Sequence, residues 1–349
     1  MEDNEKYMNV AIEEAKKGEY NTWTDPLVGC VIVKDGKILS EGAHYKFGDD
    51  HALVDAMQSL NEDQIAGSSL YLTMEPCDDC TQKIMDAGFT KVVVGQADPH
   101  PAEANKNNTK IGVDGDNTAV VCGVLTNEVE KLNQHYNYFA KTGKPWISLK
   151  QNLSLDHHVS PANGKYVKLP SQEVRDYIHH ERADYQAILI GSSTAIIDNP
   201  NLGTDVETNY SPIRIIVDRR GRLLNNTGLN LLNNGEFQTW ILTQNSNVDQ
   251  LASMANVKVF QLKTDKLEEI ITLLSEQGIQ SAYVEGGPTL EKAFMDEPAV
   301  NEIIDYFSPV YLGDIGLPGA VPIHEVELAD VSVKKIDDHV RIAGIVKSK

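Results

Sequence analysis

Short apolar, β-prone runs separated by stretches of helical periodicity recur from one end of this chain to the other, and that alternation restricts it to layered α/β folds. Met8, Ala11, Ile12 and Ala15 share one face of a helix over Asp3–Lys17, with Gly18 suited to its end. A β-hairpin follows, with Gly29–Val33 and Lys37–Ser40 flanking the Asp35-Gly36 turn signal. His51–Leu60 has near-helical spacing, Ser69–Met74 alternates like a strand, Cys77–Ala87 reads as a helix closed by Gly88, and Lys91–Gly95 reads as a strand. Ala102–Thr118 is polar and rich in Asn, Asp and Gly, the composition of a surface loop, and Glu128–Ala140 has helical character.

Thr142-Gly143-Lys144-Pro145 carries the punctuation of a linker, and 349 residues suit two domains better than one. The boundary is placed there, giving 1–143 and 144–349. Beyond it, β-rich runs at Trp146–Leu149, Gln186–Ile190, Ile213–Val217, Thr239–Leu242, Val257–Leu262 and Ala282–Val284 alternate with helical stretches. This is a second α/β domain, unrelated to the first by any internal repeat.

With 41% hydrophobic and 23% charged residues, the chain has material for buried cores and is neither disordered nor collagen-like. Its formal net charge of −20 repels nucleic acid and anionic membrane surfaces, so an anionic ligand must be held by a local device. No apolar run is long enough to span a bilayer, and the opening MEDNEKYMNVAIEEAKKGEY has no apolar core of signal-peptide length. Four cysteines, two of them in one Cys-x-x-Cys, argue against a disulfide framework and for a reduced cytoplasm.

The sharpest local pattern is Glu75-Pro76-Cys77-Asp78-Asp79-Cys80, between a strand and a helix. A helix opened by Pro76 would set Cys77 and Cys80 on one face and favour thiolate at its N-terminus. His51, heading another helix, supplies a third ligand, and a His with two Cys leaves zinc a fourth position for water. A redox pair or half of a structural zinc site would use the same cysteine spacing. Zinc-dependent cytidine deaminases have H-x-E followed by P-C-x-x-C, and His51-Ala52 fits that pattern until Leu53 stands where the acid belongs. Leucine cannot take a proton from zinc-bound water or return it to a ring nitrogen. Asp50, Asp55, Glu75, Asp78 and Asp79 are the nearby carboxylates, of which Asp55 falls about 200° round the helix from Leu53.

In the second domain, Tyr283-Val284-Glu285-Gly286-Gly287-Pro288-Thr289-Leu290 ends a strand and opens a helix. Gly286 and Gly287 let a phosphate approach the backbone, and the helix that Pro288 starts offers free N–H donors; a plain tight turn has the same residues. Ile190-Gly191-Ser192-Ser193-Thr194, followed by Asp198-Asn199-Pro200, is a second strand end suited to a nucleotide cleft or to an ordinary loop.

Together these residues resemble the bifunctional pyrimidine deaminase and uracil reductase family of riboflavin biosynthesis. The resemblance runs through Asp25-Pro26-Leu27-Val28-Gly29-Cys30-Val31, Glu41-Gly42-Ala43-His44, His51-Ala52, Glu75-Pro76-Cys77, Asp98-Pro99-His100-Pro101, Leu132-Asn133, Leu149-Lys150, Ser154-Leu155-Asp156, Arg182-Ala183, Asp198-Asn199-Pro200 and Glu285-Gly286-Gly287. It implies a cytidine-deaminase-like zinc domain over 1–143 and a dihydrofolate-reductase-like NADPH domain over 144–349. It implies zinc on His51, Cys77 and Cys80, Thr194 and Asp198 near the nicotinamide cofactor, and Gly287 to Thr289 beside it. Arg182, Leu202 and Glu285 would stand near substrate. Lys150, at the end of the first strand of the second domain, is the candidate for orienting substrate or donating a proton, with Asp198 as the other catalytic candidate; a solvated strand-end lysine is the plainer reading of Lys150. The expected partners are a small phosphorylated pyrimidine and further copies of the chain in a homo-oligomer, with no nucleic acid and no membrane.

The chain departs from the family pattern at several points. Asp25 replaces an amide that both donates and accepts, the loop between the zinc cysteines is cut to Asp78-Asp79, His157 replaces a glycine, the Trp-Ile-Thr pattern is missing around Tyr166–Pro170, and Asp205 replaces a phosphate-binding arginine. A reductase-only enzyme, or a catalytically retired paralogue serving as a binding or regulatory subunit, are the alternatives to full bifunctionality.

Overall fold

The structure, a computed structural model, describes residues 2–111, 118–161, 168–313 and 316–347. The chain divides into two compact units, Met1–Gly143 and Lys144–Lys349.

In the first unit, β1 (Gly29–Lys34) and β2 (Lys37–Ala43) form the expected hairpin, with Asp35 and Gly36 at φ of 52° and 73° in the turn. β3 (Ser69–Met74), β4 (Lys91–Gln96) and β5 (Ala119–Cys122) complete a sheet of order β2-β1-β3-β4-β5. β1 is antiparallel to β2 and β3, whereas β3, β4 and β5 run parallel. The strands bury both faces by simple alternation. Cys30, Ile32, Leu70, Leu72, Val92 and Val94 pack on one side with Leu53 and Ile84, while Val31, Val33, Tyr71 and Val93 meet Met8 and Ala11 of the helix Glu2–Ala15 on the other.

Three local readings need correction here. The polar stretch Ala102–Thr118 contains a helix, Lys106–Ile111, because its backbone is organised by a distant carboxylate rather than by its own composition; residues 112–117 lie outside the described residues. The helical stretch Glu128–Ala140 is two helices, Thr126–Leu132 and Gln134–Thr142, broken at Asn133. The Asn133 side chain accepts from the Leu27 N–H and donates to the Leu27 carbonyl, both at 2.8 Å, a pairing that fixes the break. Third, Cys77 itself caps the helix Asp78–Ala87, so Pro76 precedes the cap instead of opening the helix.

The second unit is built on a nine-stranded sheet. Its strands are β6 (Trp146–Ser154), β8 (Ala187–Gly191), β9 (Ile213–Val217), β10 (Thr239–Thr243), β11 (Val257–Gln261), β12 (Ser281–Val284), β13 (Glu302–Ser308), β15 (Leu328–Ile336) and β16 (His339–Val346), while β7 (His158–Ser160) and β14 (Leu317–Pro318) pair as a separate ribbon. The order is β11-β10-β9-β8-β12-β6-β13-β16-β15, parallel from β11 to β13 and antiparallel thereafter. The parallel strands deliver Gly191, Asp218 and Glu285 to their carboxyl ends on one side of the sheet, where ligands bind in open α/β folds. β6 extends to Ser154, so Lys150 is a buried mid-strand residue and not a solvated strand-end lysine. Residues 162–167, which include Tyr166, lie outside the described residues. Among the described residues no helix is long and apolar enough to cross a membrane.

Candidate active sites

In the first unit, Glu75 and Pro76 carry the chain from the end of β3 to Cys77, and Cys80 follows in the first turn of the helix. His51 caps the helix Ala52–Met57. His51 Nδ1 stands 3.4 Å from both Cys77 Sγ and Cys80 Sγ, and the three ligand atoms all lie within 4.8 Å of one another. A hydrogen bond from Cys80 lowers the Cys77 thiol to about 5 against the opposing effect of burial, with His51 helping; the same bond and burial push Cys80 up. One nitrogen and two sulfurs, with Cys77 open to solvent and Cys80 buried, are a donor set that fits zinc with one position left for water.

Leu53 begins the same helix but is 1% exposed, packed in the core with Cys30, Cys80 and Ile84. None of the neighbouring carboxylates stands in for it by its contacts. Asp55 accepts from the Ala43 N–H at 3.1 Å and Asp50 from Gln58 at 2.8 Å, while Asp78 is paired to the Lys110 ammonium. Glu75 is fully engaged: Oε2 accepts from the N–H groups of Asp98 (2.8 Å) and Asn105 (2.7 Å), and Oε1 from those of Asn107 (2.8 Å) and Asn108 (3.1 Å). Its task is to fold the segment after β4 over the strand ends. Asp79 is exposed at the start of the helix. Beside the cradle, buried His44 meets Asp25 Oδ2 through Nε2 at 3.2 Å and presents its ring edge-on to His51 at 5.7 Å; the Asp25 contact raises its pKa against burial.

The second unit holds a cleft of about 810 Å³ at the carboxyl ends of its parallel strands. Lys150, Thr194, Asp198, Glu285, Gly287 and Thr289 line it. Lys150 Nζ lies 3.2 Å from Glu285 Oε2, and Arg182 grips the same carboxylate through Nε and, at 2.9 Å, through Nη2. Burial alone would raise the Glu285 carboxyl, but Arg182 and then Lys150 outweigh it and hold it at about 2. Enclosure raises the Asp198 carboxyl against the pull of Lys150.

Three residues expected at this site are not on the cleft wall. Arg182 is buried behind Glu285 and also donates to the Gly203 carbonyl at 3.0 Å; Leu202 is buried; and Gly286 forms the back of the turn whose front is Gly287. A side chain on Gly287 would stand 3.0 Å from Thr194 Oγ1, so the bare backbone is what leaves room between the two strand ends. Asp205 is exposed, with its carboxylate 3.8 Å from His180 Nδ1.

Sequence reading missed Arg219, Arg220 and Arg222, which also line the cleft. Buried Asp218 accepts from the N–H groups of Arg222 (3.0 Å) and Leu223 (2.9 Å) and so shapes the turn that presents them. The signal was there: Asp-Arg-Arg-Gly-Arg directly after a buried strand concentrates cations in a chain of net charge −20. It also missed Glu291, another lining residue, whose place in a helical run gave no hint of burial.

A His-Cys-Cys cluster able to hold a metal at the strand ends of one sheet, and a glycine turn with cations at the strand ends of another, suit a two-domain deaminase–reductase class. The cytidine and deoxycytidylate deaminase zinc-binding region matches residues 1–96, and the RibD C-terminal domain matches residues 145–342. The riboflavin biosynthesis protein RibD of Bacillus amyloliquefaciens is 34% identical over 91% of this chain and 87% of its own length, and that of Escherichia coli K12 is 31% identical over 88% of each. The solved RibD of Acinetobacter baumannii superposes with a TM-score of 0.88 at 31% identity, and the deaminase/reductase of Thermotoga maritima with 0.87 at 28%, each over 99% of both chains. The chain belongs to the RibD family, with an N-terminal cytidine-deaminase domain and a C-terminal dihydrofolate-reductase-like domain.

Proposed function

We propose that in riboflavin biosynthesis the C-terminal domain reduces a ribosylated pyrimidine phosphate with NADPH, while the N-terminal domain holds zinc and releases ammonia only slowly. Both family domains are present, and zinc and NADPH fit them. The observation that carries the division is Leu53, an apolar core residue where a deaminase needs a proton carrier.

His51, Cys77 and Cys80 are the zinc ligands in this reading. Bound zinc supplies a Lewis acid that brings a water's pKa towards neutrality. The chain's own part, moving the proton, has no group to perform it at position 53. In the reductase, Gly287, Thr289 and Thr194 receive the cofactor, with Gly286 backing the turn. Arg219, Arg220 and Arg222 supply the local positive field that the chain as a whole lacks, and the Nε of Arg219 is buried with no acceptor among the described residues. Glu285, fixed by Arg182, orients the Lys150 ammonium towards the cleft, where Lys150 and Asp198 hold or deliver the proton that accompanies hydride transfer. Arg182, Leu202 and Glu285 shape the substrate end. The same reading carries a homo-oligomer in the cytoplasm.

A binding subunit without turnover is the second reading, favoured by Asp205, an exposed carboxylate where a phosphate contact is expected. Assaying the two half-reactions separately decides between them. The expected result is about one zinc per chain, lost in a Cys77→Ser, Cys80→Ser double variant, together with NADPH oxidation on the deaminated substrate and ammonia release slower by about 10²–10⁴ than a positioned acid would give. Ammonia release keeping pace with reduction would overturn the division, and absence of NADPH oxidation would favour the binding subunit.

A further inference from the structure

We propose that Glu291 is a proton-carrying contact of the reductase cleft: neutral, it donates a hydrogen bond to the phosphate-bearing cofactor at the Gly286–Gly287 turn, and ionised, it repels that cofactor. The inference rests on the reading of the cleft as an NADPH site.

Glu291 lies in the first turn of the helix Pro288–Asp296, its N–H bonded to the Gly287 carbonyl at 3.1 Å. It lines the cleft yet is only 4% exposed. Its Oε1 occupies the space a side chain on Gly286 would need, 2.6 Å from where the Cβ would stand, so the carboxyl sits directly beneath the turn. Its Oε2 is buried with no hydrogen-bond partner among the described residues. A buried polar atom left unpaired is unfavourable, and a ligand donor or acceptor at the turn would relieve it.

The groups around it do not neutralise a negative charge there. Lys150, on β6, draws the carboxyl down, but it shares Glu285 with Arg182. Asp305, on β13, adds repulsion and is itself held by Gln151 at 3.2 Å. Asp198 faces the same cleft with a further carboxyl. The helix N-terminus favours an ionised carboxylate only weakly. Burial outweighs that and Lys150 together and lifts the Glu291 carboxyl to about 8. At neutral pH the side chain therefore carries an O–H, the form a phosphate oxygen can accept from, and above that value it adds a like charge beside an anion.

The test is NADPH binding by titration calorimetry from pH 6.5 to 9.5, on wild type and on Glu291→Gln, which keeps a donor but cannot ionise. Wild-type affinity should be level near pH 7 and fall towards tenfold per pH unit above 8. The variant should bind within about threefold of wild type at pH 7 and lose less with pH; the difference between the two profiles cancels the titration of every other group. Binding at pH 8 in buffers of different ionisation enthalpy should show proton uptake by wild type that the variant lacks. Parallel profiles with equal proton uptake would overturn the role of Glu291 while leaving the cofactor site intact. If wild type binds no NADPH at any pH, the cofactor reading itself fails. Should the variant not fold, wild-type binding without proton uptake at pH 8 would still overturn the proposal.

Discussion

The two strand-end sites treat buried charge in opposite ways. Beside His51, Cys77 and Cys80, the position where the deaminase pattern has an acid holds Leu53, and the acid on the strand end, Glu75, spends its lone pairs on backbone N–H groups. In and behind the reductase cleft, Lys150, Arg182, Glu285 and Glu291 all stay polar with their side chains buried. Cys80, a zinc ligand in the proposed reading, also packs in the core that surrounds it, so its place is held by packing as well as by chemistry. A proton carrier has only its chemistry to recommend it: filling its place with leucine gains about 1.5–3 kcal/mol of burial. In the proposed reading, metal ligands and proton carrier part company within the first site, while the second keeps its buried charges as candidates for chemistry.

Restoring the acid is the strongest way to break this contrast. Leu53→Glu should raise ammonia release by about 10²–10⁴, while a lower melting temperature reports the carboxyl forced into a core position. An unchanged rate with zinc retained would shift the fault to Asp25 or to the short Asp78-Asp79 connection. Next in size, Glu285→Gln leaves Arg182 and Lys150 buried without their counter-charge and should cost about 3–5 kcal/mol by denaturant midpoint. The pH profile has a definite sign. Because the folded-state Glu285 carboxyl lies at about 2, below the ordinary range, its contribution is present above about pH 4.3, the unfolded value, and is lost as pH falls from there towards 2. The variant should lack that part of the acid limb. The smallest effect is expected for Glu75→Gln. One amide oxygen cannot serve four donors, and its own NH₂ faces two of them, for a loss of about 1–3 kcal/mol; NADPH affinity should not change. A loss of zinc without loss of stability would instead assign Glu75 to the metal.

Much of this was legible in the sequence because it was written in local chemistry. Strand periodicity, the Asp35-Gly36 turn, the linker at Gly143 and the meeting of His51 with Cys77 and Cys80 each follow from residues close together or from a strand-to-helix pattern. What escaped depends on partners distant in the chain. The helix Lys106–Ile111 is organised by Glu75 some thirty residues earlier, and Asn133 breaks a continuous helical pattern through Leu27. Lys150, a catalytic candidate with a solvated strand-end lysine as the alternative, is shown to be buried only once β12 and β13 pair on both sides of β6. β15 was missed because it is an edge strand, with Val331 and Val333 exposed and lysines at 334 and 335, where period-two burial has no second face to report.

The four N–H groups gathered by Glu75 also set how this part of the molecule opens. Asp98, Asn105, Asn107 and Asn108 share one anchor, which lies two residues from Cys77. Because the four amides share one carboxylate, its removal would take the partner from all four at once. Asn107 Nδ2 on the Pro76 carbonyl and Lys110 on Asp78 tie the same stretch down, so Glu75 is the central fastening among three that hold Asp98–Lys110 against the start of the helix Asp78–Ala87.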